Sequence, residues 1–352
     1  MERIPLRSSD PAALAALVAE RLRAGALVAL PTETVYGLAC LPAAAERVRA
    51  LLQRPAEAPC TLHLPSRADV RPLVAGMPLG AERLIERFWP GPLTLVLPGR
   101  AGGEVAVRLP AHEFTRAVIA AVGSPLPMPA LHAPGTPALA DPDAVAARFG
   151  HGLDLLVDDG KSPLGTPSTV AHFHGGRLDV RREGILTADE VQQAAATVVL
   201  FVCTGNTCRS PLAEAFARQH SAAALGVPPE DLLAHGLCFR SAGTGACDGD
   251  PASDGSLAAG AEVGLDLSTH RSTALDPGLV RRAHRIYCLA DSHRRNTLAE
   301  APAAGEKITL LRPDQRDVAD PFGGDLRAYR RARDEIGAAV LARLADWLPK
   351  RA

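Results

Sequence analysis

The chain has 352 residues, of which 47% are hydrophobic and 22% charged, and a formal net charge of −1. That length suggests two domains at about 150 residues each, each large enough to bury its own core. The near-neutral balance excludes the strongly basic footprint of a nucleic-acid protein, and no stretch approaches the ~20 apolar residues that span a membrane. The opening segment MERIPLRSSD lacks the apolar core of a secretory signal. Seven cysteines without Cys-x-x-Cys pairing read as thiols of a reducing cytoplasm.

The first half alternates helix and strand patterns. Residues 11–23 read as a helix closed by Gly25, and the apolar residues 26–30 as a strand leading into PTETVYGL at 31–38. Helices follow at 43–53, 81–88, 114–122 and 143–149. Strands are expected at 61–64, 93–97, 105–109 and 153–157. These elements do not repeat as βαβ units, so a twisted α/β sheet of mixed direction is expected. Thr187 and Glu190 form a capping box for a short helix over 188–195. The expected division is therefore a domain at 1–186, a linker at 187–196 and a second domain at 197–352.

The second domain opens on VVLFVCTGNTCRSPLAEAFAR at 198–218. The run 198–202 suits a strand buried on both faces, and it ends at Cys203. Ser210 and Pro211 open a helix, where proline needs no N–H partner. A tight loop between strand and helix points several N–H groups at one spot and attracts an anion. A thiol and a guanidinium stand there. Cys203 is the nucleophile, and Arg209 can grip two phosphate oxygens with its planar fork. Ser210 can donate to the departing thiolate. Gly205 allows close backbone approach and a positive φ, and Thr204, Asn206, Thr207 and Cys208 complete a phosphate cradle. An arginine six residues after a cysteine says little alone. The strand before it, the glycine inside and the Ser-Pro after it make the pattern functional. A zinc site would need paired Cys or His spacing, which is absent, so no metal is expected. Later patterns predict a strand at 238–241, helices at 256–262 and 327–347, and a strand at 285–289: a doubly wound parallel sheet.

This half resembles the low-molecular-weight protein phosphatases, through the cradle and through SAGTGA at 241–246, GLDLSTHRS at 264–272 and DPFGG at 320–324. The resemblance runs over about residues 197–348. It implies a phosphorylated protein as substrate, a cysteinyl-phosphate intermediate, Asp320 as general acid, and no cofactor. CTGNTCRS with DPFGG looks most like the protein-arginine phosphatases. A phosphoguanidino group carries N–H donors near phosphorus, and the Thr207 hydroxyl can accept one. An aliphatic residue there would leave that donor unpaired at about 1–3 kcal/mol, so phosphoarginine is expected over phosphotyrosine. Cys208 is either a disulfide partner for Cys203 under peroxide or a small buried filler.

The first half resembles the YrdC-type threonylcarbamoyl-AMP synthases. The matching pieces are PTETVYGL, the pair Arg54-Pro55, WPGPLTLVL at 89–97, VAVRLPAH at 105–112, PSTV at 167–170 and VRREGIL at 180–186. The resemblance implies synthesis of threonylcarbamoyl-AMP from ATP with Mg2+, bicarbonate and L-threonine, for later transfer to tRNA. Carried over by position, Thr32, His63, Arg108 and Ser168 would contact threonine, and Arg54, Thr94 and Arg182 would contact ATP. A nucleotide or double-stranded RNA is the implied partner. The chain departs from that pattern at three places. Leu52 stands where the family has a lysine, Pro129-Ala130-Leu131 where it has Ser-Ala-Asn, and Ala58 near an expected polar residue. These changes remove a phosphate-facing charge and hydrogen-bond donors. Three readings follow: a weakened or silent synthase, a non-catalytic nucleotide- or RNA-binding module, and a fully bifunctional enzyme.

Overall fold

The Asp10 carboxylate accepts hydrogen bonds from the N–H groups of Ala12 and Ala13, at 2.8 and 3.1 Å, and Pro11 takes the first helical position. The first long helix therefore starts where its sequence asks it to. The computed structural model describes residues 1–53, 60–132 and 136–348. They divide into two units, Met1–Ala195 and Ala196 onward.

The first unit runs β1 (Glu2–Pro5), α1 (Pro11–Arg23), β2 (Val28–Leu30), β3 (Gly37–Ala39), α2 (Ala45–Leu52), β4 (Leu62–His63), α3 (Leu79–Phe88) and β5 (Leu93–Pro98). It continues with β6 (Glu104–Arg108), α4 (Glu113–Val122), β7 (Leu126–Pro127), α5 (Pro142–Phe149), β8 (Leu155–Asp158), β9 (Thr169–His174), β10 (Arg177–Arg182) and α6 (Ala188–Ala195). The mixed strand direction holds, but the strands form two sheets rather than one, in the orders β1-β8-β2-β3 and β10-β9-β5-β6-β4-β7. Leu126 of β7 packs with Val28 and Leu30 of β2, so the two sheets share part of a core. In β5, Leu93, Leu95 and Leu97 are buried against Ala81 and Leu84 of α3 and Val191 of α6. The alternate residues Thr94 and Val96 turn to the opposite face and line a cavity. The Glu190 carboxylate accepts from the Thr187 N–H at 2.9 Å, and Thr187 Oγ1 accepts from the Glu190 N–H at 3.2 Å. The capping box is thus formed, and α6 is part of the first unit's core.

The second unit runs β11 (Thr197–Cys203), α7 (Arg209–Leu225), β12 (Leu237–Gly243), α8 (Asp254–Ala261), α9 (Pro277–Arg282), β13 (Arg285–Cys288), α10 (Asp291–Glu300), β14 (Ile308–Leu310) and α11 (Leu326–Arg343). Its sheet is parallel throughout, in the order β12-β11-β13-β14. Val199, Phe201 and Cys203 face one core with Leu212 and Phe216 of α7 and Ile336 and Val340 of α11. Leu200 and Val202 face the other, with Val280 and Ile286. This double burial explains the unbroken apolar run. The strand order reverses beside β11, and a crevice at the carboxyl end of such a strand is where ligands bind in this kind of sheet. Cys203 is the last residue of that strand. The last helix ends at Arg343, before the expected limit of 347, and a 3-10 turn over Leu344–Asp346 follows.

Candidate active site and substrate cavity

Cys203 is 2% exposed. Its Sγ accepts from the Asn206 N–H at 3.2 Å and lies 2.9 Å from Ser210 Oγ. Ser210 in turn accepts from Asn206 Nδ2 at 2.9 Å, and its own proton has two acceptors in reach, the sulfur at 2.9 Å and Ala242 O at 3.5 Å. The left-handed residue of the loop is Asn206, with φ 53°, and not Gly205 as the sequence suggests. Asparagine tolerates this conformation because its side chain bonds locally, and here both the nitrogen and the oxygen of the amide have partners. The Thr273 N–H donates to Asn206 Oδ1 at 2.7 Å, and His270 Nε2 donates to Asn206 O at 2.7 Å. Close approach is needed at Gly243 instead. A Cβ there would stand 2.4 Å from Thr204 O and 2.9 Å from Asn206 N.

Arg209, in the first turn of α7, is 5% exposed. It donates to Val318 O at 3.1 Å and to Asp320 Oδ2 at 2.6 Å. Its Nε is buried with no hydrogen-bond partner. A buried guanidinium with an idle N–H beside a thiol suits an anion with several acceptor oxygens. Asp320 Oδ1 accepts from the Phe322 N–H at 3.2 Å, so the Asp-Pro turn itself aims the carboxylate. Gly323 has φ 75°, a conformation that glycine adopts without strain. The loop brings Asp320 to Arg209 across 111 residues of sequence.

Thr207 Oγ1 lies 3.7 Å from Cys208 Sγ, and Cys208 Sγ donates to Ser253 Oγ at 3.2 Å. Cys208 also packs against Ala259 and Tyr329. Two functional neighbours escape sequence reasoning. His270 lies within a quoted motif, but nothing in its spacing ties it to Asn206. His293 of α10 reaches Thr204 Oγ1 at 2.9 Å, from a helix with no apolar stripe to announce it. Among the described residues no group of three or more His, Cys, Asp or Glu could hold a metal ion.

In the first unit a cavity of about 310 Å³ is lined by Thr32, His63, Thr94, Arg108, Ser168 and Arg182, among others. Six of the seven residues expected at ATP and threonine therefore share one site. Arg54, the seventh, lies outside the described residues, as does Ala58. Thr94 Oγ1 and Ser168 Oγ are 2.8 Å apart, and Arg182 donates to Ser168 O at 2.8 Å. The Arg108 guanidinium meets Glu33 at 2.5 Å, and the second Glu33 oxygen accepts from the Ala111 N–H at 3.0 Å. Burial, and then the charge of Arg108, push the His63 pKa down to about 3, so its ring is neutral. Burial and Arg108 also lower the pKa of Arg182.

The three departures divide in space. Pro129 and Ala130 line the cavity. Leu52 and Leu131 are both 0% exposed and belong to one hydrophobic cluster with Tyr36, Leu38 and Leu156. The two leucines that replace polar family residues thus share an apolar core.

Residues 20–184 match the family described as telomere recombination, which groups Sua5, YciO and YrdC. Residues 198–351 match the low molecular weight phosphotyrosine protein phosphatases. The threonylcarbamoyl-AMP synthase of Pyrococcus abyssi is 34% identical over 189 residues, 50% of this chain and 56% of that protein. The protein-arginine-phosphatase of Geobacillus stearothermophilus is 34% identical over 154 residues, 43% of this chain and 95% of the relative. The low-molecular-weight protein-tyrosine-phosphatase EpsP of Ralstonia nicotianae is 34% identical over 153 residues, 43% of this chain and 94% of the relative. The chain belongs to the low-molecular-weight phosphatase family through its second unit and to the Sua5/YrdC family through its first. It spans little more than half the length of the synthases of Pyrococcus abyssi and Bacillus subtilis, 56% and 57% respectively.

Proposed function

We propose that the chain is a protein phosphatase with Cys203 as nucleophile, fused to a first unit that keeps the synthase cavity but has little or no synthase activity. The observation that carries the first part is the gathering of Cys203, Ser210, Arg209 and Asp320 at the carboxyl end of β11. The Cys203 sulfur attacks phosphorus, and the bond from phosphorus to the leaving atom breaks. Arg209 and the loop N–H groups hold the non-bridging oxygens. Asp320 gives its proton to the leaving nitrogen or oxygen, then takes one from the water that hydrolyses the cysteinyl-phosphate. Ser210 donates to the sulfur as it departs. No cofactor is needed for these steps.

Phosphoarginine is the favoured substrate. The support is Thr207, whose hydroxyl can accept from a phosphoguanidino N–H. Sequence identity does not decide the point, since the arginine and tyrosine phosphatases above are equally similar. Seven cysteines without Cys-x-x-Cys pairing suit a reducing cytoplasm. Phosphate release from a phosphoarginine-bearing protein by wild type, and its loss in Cys203→Ser, tests the phosphatase.

The cavity of the first unit suits a small polar ligand such as L-threonine, or ATP carried with its Mg2+. Leu52 and Leu131 favour the silent reading, because an apolar cluster stands where a phosphate-facing lysine and an amide are expected. Pyrophosphate release with ATP, bicarbonate and threonine, measured in a Cys203→Ser background, tests it. Threonine-dependent release at an enzymatic rate would make the chain bifunctional, with a role in tRNA modification.

A further inference from the structure

Helix α10 supplies a buried histidine that no step above uses. His293 is 3% exposed, and its Nε2 lies 2.9 Å from the hydroxyl of Thr204, the residue after the nucleophile. Its Nδ1 is buried without a hydrogen-bond partner. Burial, and then the charge of Arg209, push its pKa down to about 4, so at neutral pH the ring carries one proton. On Nδ1 that proton would make a buried N–H with nothing to receive it, the arrangement that folded proteins avoid most. On Nε2 it is donated to Thr204 Oγ1, and Nδ1 is left as a bare acceptor. The tautomer then decides what the hydroxyl does. Oγ1 accepts from the ring and keeps its own proton for another acceptor. Thr204 is exposed, whereas Cys203 and Asn206 on either side of the loop are buried. The residue therefore stands on the exposed side of the loop, with its hydroxyl against His293. Its backbone is fixed as well, since Thr204 O accepts from the Gly245 N–H at 3.0 Å.

We propose that His293 is a positioning residue that makes the Thr204 hydroxyl a hydrogen-bond donor to the phosphoryl group held over Cys203. This rests on the phosphatase reading and adds to it a residue from outside the Cys203–Arg209 loop, His293, that orients a donor within the loop. The ligand it favours is one with an acceptor oxygen on phosphorus facing the mouth, whatever the leaving group.

Full-length wild type, Thr204→Val, His293→Leu, the double variant and His293→Gln are compared for turnover of p-nitrophenyl phosphate, orthovanadate affinity and thermal midpoint. Thr204→Val and His293→Leu should each lower kcat/KM and vanadate affinity by about tenfold, and the double variant should be no worse than either. His293→Gln keeps an amide N–H near the place of Nε2 and should stay within about threefold of wild type. A silent Thr204→Val overturns the proposal. So does a His293→Leu variant that loses thermal stability but binds vanadate like wild type well below its midpoint. If wild type neither turns over substrate nor binds vanadate, the phosphatase reading fails and takes the inference with it. An active wild type with silent variants sinks the inference alone.

Discussion

At Asn206 one side chain and one backbone unit tie the nucleophile loop together. The N–H reaches Cys203, the amide reaches Ser210 and receives Thr273, and the carbonyl receives His270. Sequence reasoning found Cys203, Arg209 and Ser210 because they follow one another on a strand, a loop and a helix. The positive φ falls on Asn206 and not on Gly205 because His270 and Thr273 hold the asparagine there, a pairing that no local spacing announces. Asp320 yields a prediction of its own. Its carboxylate holds Arg209 at 2.6 Å, so an incoming phosphate competes with it for the guanidinium. Asp320→Asn should lower kcat by about a hundredfold through loss of the acid, yet bind inorganic phosphate at least as tightly. Weaker phosphate binding, measured by calorimetry, would show that Asp320 helps the anion rather than competing with it. Thr207→Ile should lower kcat/KM on phosphoarginine more than on phosphotyrosine, by about tenfold or more. An equal change on both substrates would remove the argument for phosphoarginine.

Among the elements, those with a strong apolar period were legible and the polar ones were not. Helix α10 reads DSHRRNTLAE, and β14 has three residues, so neither gives a pattern to the eye. The two strands and the helix that carry the site do. Strand β12 matters through Gly243, where any side chain meets Thr204 O. Gly243→Ala should displace the nucleophile loop, lowering activity by more than tenfold and stability by about 1–3 kcal/mol. Paired kinetics and denaturant melts measure both. Strand β4 carries a pH dependence. His63 is buried and neutral, its folded pKa near 3 against 6.5 when free. As pH falls below about 6.5 the unfolded chain takes up a proton that the folded chain refuses. Stability is therefore lost with acid, by about 1.4 kcal/mol per pH unit from this group. Denaturation midpoints should fall with acid between pH 7 and pH 4, and His63→Gln should lessen the slope by this share, leaving the like contribution of His293.

Over the whole molecule the sequence carried both family memberships, because each motif is short, local and in order. The cavity was partly legible in the same way. Thr32, His63, Thr94, Arg108, Ser168 and Arg182 come together in space as their motifs imply. What could not be read was the fate of the two leucines. A missing lysine and a missing asparagine look like independent losses in one dimension. In the fold, Leu52 and Leu131 enter one apolar cluster, so restoring polarity at one site alone would bury an unpaired group beside the other leucine. Leu52→Lys is expected to destabilise the chain by about 3–5 kcal/mol without conferring pyrophosphate release, which calorimetry and a release assay would check. On the proposed function, the chemistry rests on one sulfur in the second unit. The most direct measurement is phosphate release from a phosphoarginine-bearing protein by the full-length chain, wild type beside Cys203→Ser. Release by wild type and none by the serine variant is expected; release by Cys203→Ser at the wild-type rate would contradict it.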